Sequence, residues 1–271
     1  MLGSRDRQTE FEIGERQLDG WRLHAVQFAL FAALVGGWET IARLKLIDPY
    51  LASSPLAIGT RLWSLATSGA LAGHAAITAW ETLLGLALGS FLGITFGMLL
   101  ALSPRTASVL DPFIVALNGL PRVALAPLFV VWFGIGIASK VAVGTSIVLF
   151  ILLFATYLGM RNTDAALLQA VKALGATPRQ LLVTVQLPFA IPWIFAGLKS
   201  GVAMALIGAI IGEFIAASRG LGWYIAYTGG TFDTTGVMAG LVVLGAMAVT
   251  LDVAVARIGR RFTRWKPDVV V

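Results

Sequence analysis

Long apolar runs, each about the length of one bilayer crossing, alternate along this chain with short polar stretches. A helix needs about 20 predominantly apolar residues to cross the hydrocarbon core. Residues 23–42, 82–102, 108–137, 141–160, 191–216 and 234–256 meet that requirement. The second run carries no charge and is stopped by Ser103-Pro104-Arg105, and the fourth is closed by Arg161. The third is interrupted at Gly119-Leu120-Pro121, where a helix must break. The pattern predicts an all-α polytopic membrane protein with six transmembrane helices. Gly85, Gly89, Gly93 and Gly97 recur every four residues, which leaves one face of the second span bare and lets another helix approach closely. Gly197 with Gly201, and Gly208 with Gly212, repeat the spacing in the fifth span.

Composition agrees. The chain of 271 residues is 58% hydrophobic and 13% charged, against about a quarter charged in soluble domains. It contains no cysteine, which excludes disulfides, thiolate metal sites and a cysteine nucleophile. His24 and His74 lie far apart and read as interfacial polar residues. The net charge of +6 is not arranged as a basic stripe with interleaved aromatics, so nucleic acid is not an expected partner. Six spans put both termini on one side. With that side in the cytosol, fourteen of the twenty Lys and Arg residues are cytosolic and five are outside, as positive-inside topology requires. Residues 1–20 are polar and lack the apolar core of a signal peptide. The expected organisation is a cytosolic tail over 1–22, a permease domain over 23–260 with a cytosolic loop at 162–188, and a cytosolic tail over 261–271.

That loop is a polar, helix-forming island between the fourth and fifth spans. Asp164 is a good N-cap for a helix running to Leu174, and Gly175 a good C′ residue. Thr177 as N-cap, Pro178 at N1 and Gln180 at N3 form a start signal for a second helix, which Leu187-Pro188 is expected to end. Leu167, Val171 and Leu174 share one face by spacing, with Leu168 beside them, leaving Gln169, Lys172 and Ala173 exposed. Two readings fit: an amphipathic helix lying on the bilayer, or a knob that inserts into a cytosolic partner.

The island resembles the coupling loop of binding-protein-dependent ABC importer permeases. That loop carries Glu-Ala-Ala, a glycine four residues after the last alanine, and Leu-Pro twelve residues further on. Gln169-Ala170-Val171, Gly175 and Leu187-Pro188 keep the spacing, with Gln for Glu and Val for Ala. Leu128-Phe129-Val130-Val131-Trp132-Phe133-Gly134-Ile135-Gly136 followed by Ser139-Lys140 is similar to the nitrate, sulfonate and taurine group of these permeases. So are Ala205-Leu206-Ile207 through Glu213-Phe214, and Arg219-Gly220-Leu221-Gly222. Trp80-Glu81 departs from that group, which commonly has an arginine at the corresponding step. The resemblance implies the type I importer fold in a bacterial inner membrane. It implies a second permease copy, two ATPase subunits that hold ATP and magnesium, and an extracytoplasmic solute-binding protein. It implies no cofactor in this chain and a small solute such as a sulfonate, taurine, nitrate or a related organic acid. Asp164, Gln169, Ala170, Val171, Lys172, Gly175, Ala176, Leu187 and Pro188 become the expected ATPase-coupling residues.

There is no G-x-x-x-x-G-K-[ST] phosphate loop, so the energy for transport must come from a partner or an ion gradient. No metal-ligand spacing or nucleophile elbow occurs either, and no catalytic residue is expected. Asn118, Pro121 and Arg122 at the interrupted span, with Trp132 and Glu213, are candidates for the translocation pathway, because broken helices are tolerated where they line a cavity. Glu39, Glu81 and Glu213 fall near the outer ends of their spans. They reach the interface, pair with a basic neighbour, or line an outer gate. Lys199 is expected to snorkel to the headgroups. A rival reading is an ion-coupled transporter or channel using Glu39 and Glu81 as proton sites; it has no need for the polar island.

Overall fold

The computed structural model describes residues 20–48 and 51–262. All regular structure among them is helical: α1 (Gly20–Arg43), α2 (Pro55–Thr67), α3 (Ala70–Leu102), α4 (Pro104–Gly119), α5 (Arg122–Phe133), α6 (Ile137–Arg161), α7 (Ala165–Ala173), α8 (Pro178–Leu181), a π-helical turn (Leu182–Gln186), α9 (Leu187–Ala216), α10 (Leu221–Gly230) and α11 (Thr234–Phe262). Five helical stretches are long and apolar enough to cross a membrane, or six when the bent pair α4–α5 counts as one span. The expected terminal tails fall mostly outside the described residues.

The described chain up to Ala57 forms one unit and the chain from Ile58 another. In the first, Glu39 of α1 pairs with Arg43 (2.7 Å) and accepts a hydrogen bond from the Leu56 amide (3.0 Å). The second is built on α3, α6 and α9. Their contact buries Leu86, Val148, Leu152, Val202 and Ala205. Lipid tails are as apolar as leucine, so helices in a bilayer gain from tight packing rather than from leaving water. The glycines supply that packing. A Cβ on Gly89 would stand 2.6 Å from the Val148 Cβ, and one on Gly93 would strike the Leu149 carbonyl. On α9, a Cβ on Gly208 would stand 2.6 Å from the Gly144 Cα. Main chain therefore meets main chain along both seams.

Three differences from the sequence expectations have physical causes. The second span starts at Ala70, twelve residues before Thr82, and the fourth at Ile137 rather than Val141. Glu81 and Lys140 mark those expected boundaries, yet each neutralises the other inside the bundle (3.0 Å). The second loop helix does not end at Leu187-Pro188; helix runs unbroken from Pro178 to Ala216. Proline lacks an amide and its ring crowds the carbonyl four residues back. The π turn just before it widens the spiral, with Leu187 donating to the Leu182 carbonyl five residues away, and so admits Pro188 without a break. Finally, α2 and α10 are short helices that the hydropathy pattern does not announce.

Replacing Gly89 with valine is expected to cost about 1–3 kcal/mol through overpacking. Replacing Gly36, which has nothing within 4 Å of a built Cβ, should be neutral. Thermal unfolding of the purified variants followed by size-exclusion fluorescence checks both.

Candidate functional site

Three constellations concentrate the polar chemistry. The first is the loop between α6 and α9. Asp164 caps α7, its carboxylate accepting from the Ala166 amide at 2.8 Å. The helix closes in a Schellman turn: Ala176 donates to the Val171 carbonyl, Gly175 to that of Lys172, and Gly175 has φ +85°, which only glycine adopts at little cost. Thr177 and Gln180 form the expected reciprocal capping box on α8. The inward face is not the expected Leu167–Val171–Leu174 stripe. Leu168, Val171 and Ala176 are half-buried, whereas Leu174 is 87% exposed. Leu174 is the C-cap residue, and the turn at Gly175 throws its side chain outward. Gln169, Ala170, Ala173 and Leu174 thus present a small, largely apolar knob to solvent. Leu187 and Pro188 are half-buried, and Leu187 packs on the cluster of Ala101, Met160 and Ala190 that joins the loop to the bundle.

The second constellation is the corner between α4 and α5, where the chain bends by 90°. Arg122 opens α5 beneath it. Its guanidinium donates to the Leu117 carbonyl (3.0 Å), to Asn118 Oδ1 (3.3 Å) and to the Ser146 carbonyl (3.4 Å), and lies over the Phe150 ring at 4.4 Å. No carboxylate contacts it among the described residues. Asn118, Pro121 and Arg122 therefore meet at one corner, leaving a cation held only by neutral groups. Trp132 sits at the other end of α5, 62% exposed and edge-on to Phe129.

The third lies at the end of the bundle opposite α7. Of the three readings for Glu213, reaching the interface and pairing with a basic neighbour do not hold: it is 1% exposed and no basic residue pairs with it among the described residues. It accepts hydrogen bonds from Thr78 Oγ1 (2.7 Å) and from the amides of Gly222 and Trp223. Thr78 in turn accepts from the Leu221 amide (2.8 Å), and His74 Nδ1 from that of Gly220 (3.1 Å). The first four amides of α10, which no helix can satisfy internally, are all taken up by α3 and α9. Gly220 is obligatory here: its φ is +113°, and a Cβ would collide with the Glu213 carboxylate. The segments Glu213-Phe214 and Arg219-Gly220-Leu221-Gly222 are thus two halves of one cap. Glu81 and Lys140 form a buried ion pair in the same region, at 1% and 6% exposure. The expectation that Glu81 pairs with a basic residue holds, but sequence reasoning did not identify Lys140 as the partner or find the roles of His74 and Thr78, because nothing in their spacing signals a partner on another helix.

A packed helical bundle with a capped polar loop and a charged break in one span defines a membrane-embedded transport subunit. The sequence profile of the binding-protein-dependent transport system inner membrane component matches residues 89–265, and the chain belongs to that family. A probable ABC transporter permease protein of Haemophilus influenzae is 34% identical over 225 residues, covering 83% of this chain and 91% of that one. The taurine transport system permease protein of Escherichia coli is 32% identical over 248 residues, covering 88% of each. The formylaminopyrimidine transport permease protein of Halalkalibacterium halodurans is 34% identical over 236 residues, covering 87% of this chain and 94% of that one. An inward-facing structure of the MetNI methionine ABC transporter superposes with a TM-score of 0.65 at 21% identity, covering 73% of this chain and 98% of that one. The fold is that of type I ABC importer permeases. This chain is a transport subunit rather than an enzyme, and ATP is hydrolysed by partner ATPases. The ion-coupled alternative is not favoured.

Removing one member of the buried ion pair should be far worse than removing both. Lys140→Met is expected to cost about 3–5 kcal/mol by stranding Glu81, while the double variant Glu81→Met/Lys140→Met recovers most of it. Thermal midpoints of the three purified proteins measure this.

Proposed function

We propose that two copies of this chain form the translocation pathway of an ATP-driven importer for a small organic anion, a sulfonate, taurine, nitrate or a related acid. Arg122 carries the substrate reading. It is a cation at a broken span, without a counter-ion among the described residues. An uncompensated charge at membrane depth is costly and functional by default, and a discontinuous helix is where transporters place solute contacts. The relatives with taurine and aliphatic sulfonates in their names are in keeping with an anionic cargo.

The homodimer reading is supported by α4, which has no buried residue and exposes Val109, Phe113 and Leu117. A second copy covers such a face as well as lipid does. Both termini and the α7–α8 loop lie in the cytosol, on the weight of basic residues at that side. Two ATPase subunits there bind ATP with magnesium and receive the α7 knob formed by Gln169, Ala170, Ala173 and Leu174. Gln169 replaces the acidic residue usual in the coupling loop, so shape rather than an ion pair makes that contact. An extracytoplasmic binding protein delivers the solute at the opposite face. ATPase closure then shifts the permease between inward-open and outward-open populations through differential binding to α7.

Two variants test these assignments in proteoliposomes holding the complete transporter. Arg122→Gln should lower ATP-dependent uptake of an anionic solute at least tenfold with the complex intact; undiminished uptake removes Arg122 from the pathway. Ala170→Arg should leave membrane insertion and ATP hydrolysis in place but abolish its coupling to uptake. Normal coupled transport in that variant would count against the docking role of α7.

A further inference from the structure

Beneath α7, on its bundle side, lies an open pocket of about 570 Å³. Its floor is apolar, made by Ala101 and Leu102 at the end of α3, Met160 at the end of α6, and Leu168 of α7. Its two charged lining residues are both cations, Arg161 and Lys172. Neither has an ion-pair or hydrogen-bond partner among the described residues; Arg161 only lies over the Tyr157 ring, at 6.0 Å. The nearby Asp164 is engaged, its carboxylate accepting from the Ala166 amide. The site therefore joins an apolar wall at the end of the membrane spans to two unpaired cations at the level of the loop.

We propose that this pocket binds an anionic phospholipid of the leaflet on the α7 side. The headgroup phosphate lies between Arg161 and Lys172, and the first methylenes of the acyl chains lie against Leu102 and Met160. A soluble anion would use the two cations but would leave the apolar floor uncovered. A zwitterionic lipid would use the floor but would place its own cation beside two others. Only an anionic amphiphile satisfies both parts, and basic pockets between helices at a membrane surface favour such headgroups. Because the pocket is walled on one side by α7 and on the other by the ends of α3 and α6, its occupant props the loop against the bundle. The proposal rests on the membrane placement of the fold and not on the coupling role of α7, and its test requires neither ATP nor transport.

The full chain is reconstituted in phosphatidylcholine vesicles containing trace spin-labelled phosphatidylglycerol or spin-labelled phosphatidylcholine, and the motionally restricted fraction of each label is read by electron paramagnetic resonance. The expected selectivity for phosphatidylglycerol falls by about fivefold with Arg161→Gln or with Lys172→Gln and disappears in the double variant. The charge-retaining swaps Arg161→Lys and Lys172→Arg preserve it, which separates loss of the site from loss of the fold. Arg257→Gln, an exposed cation near the end of α11, leaves it unchanged. Equal selectivity in the wild type and the double variant overturns the proposal. So does an equal loss in Arg257→Gln, which points to diffuse surface charge. Displacement of the label by millimolar inorganic phosphate at constant ionic strength also overturns it, in favour of a soluble-anion site.

Discussion

The approach of main chain to main chain where α3 crosses α6 and α6 crosses α9 is the constraint on which the rest of the structure depends. In lipid there is no gain from removing leucines from water, so two helices stay together only if they come close enough for dispersion and weak polar contacts to accumulate. Gly89 and Gly93 on α3, Gly144 on α6 and Gly208 on α9 remove the side chains that would hold them apart. The result is a dense three-helix core to which α5, α10 and α11 attach more loosely.

That core sets the terms for every charge placed in it. Glu81 and Lys140 are tolerated because they meet each other, and Glu213 because three donors, the Thr78 hydroxyl and the amides of Gly222 and Trp223, converge on it. These groups are spent on holding α3, α6, α9 and α10 together at one end. Arg122 is different in kind. Its neighbours are carbonyls, an amide oxygen and an aromatic ring, so its charge is solvated but not neutralised. The contrast separates the charges that tie the helices together at one end from Arg122, which meets only neutral groups among the described residues.

At the other end, the loop is less independent of the bundle than its sequence suggests. A helix that continues from Pro178 through the π turn into α9 gives the loop a rigid connection to the core, since Leu187, Ala190 and Gly208 lie on one unbroken rod. A push on α7, as proposed for the ATPase, would cross the tight turn at Gly175 into α8 and travel from there along the rod to the α6–α9 seam.

Local rules made much of this visible beforehand. Five of the six expected apolar runs became single long helices, and the interruption at Gly119-Leu120-Pro121 became a 90° corner between two. The Asp164 cap, the Gly175 turn and the Thr177–Gln180 box formed at the positions read from the chain. Caps, turns and spans depend on residues a few positions apart, or on one segment's exchange between water and lipid, and both are properties of the sequence alone. What the sequence could not settle were relations between segments distant along it. Glu81 and Lys140 read as span ends because each looks unpaired until α3 and α6 pack. Leu187-Pro188 read as a stop because the π turn's accommodation of proline is a three-dimensional event. Leu174 read as inward because helical spacing does not say where the helix has already ended. Tertiary structure decided these three, since an ion pair's partner, a proline's clearance and a side chain's direction are fixed only when the segments are in place.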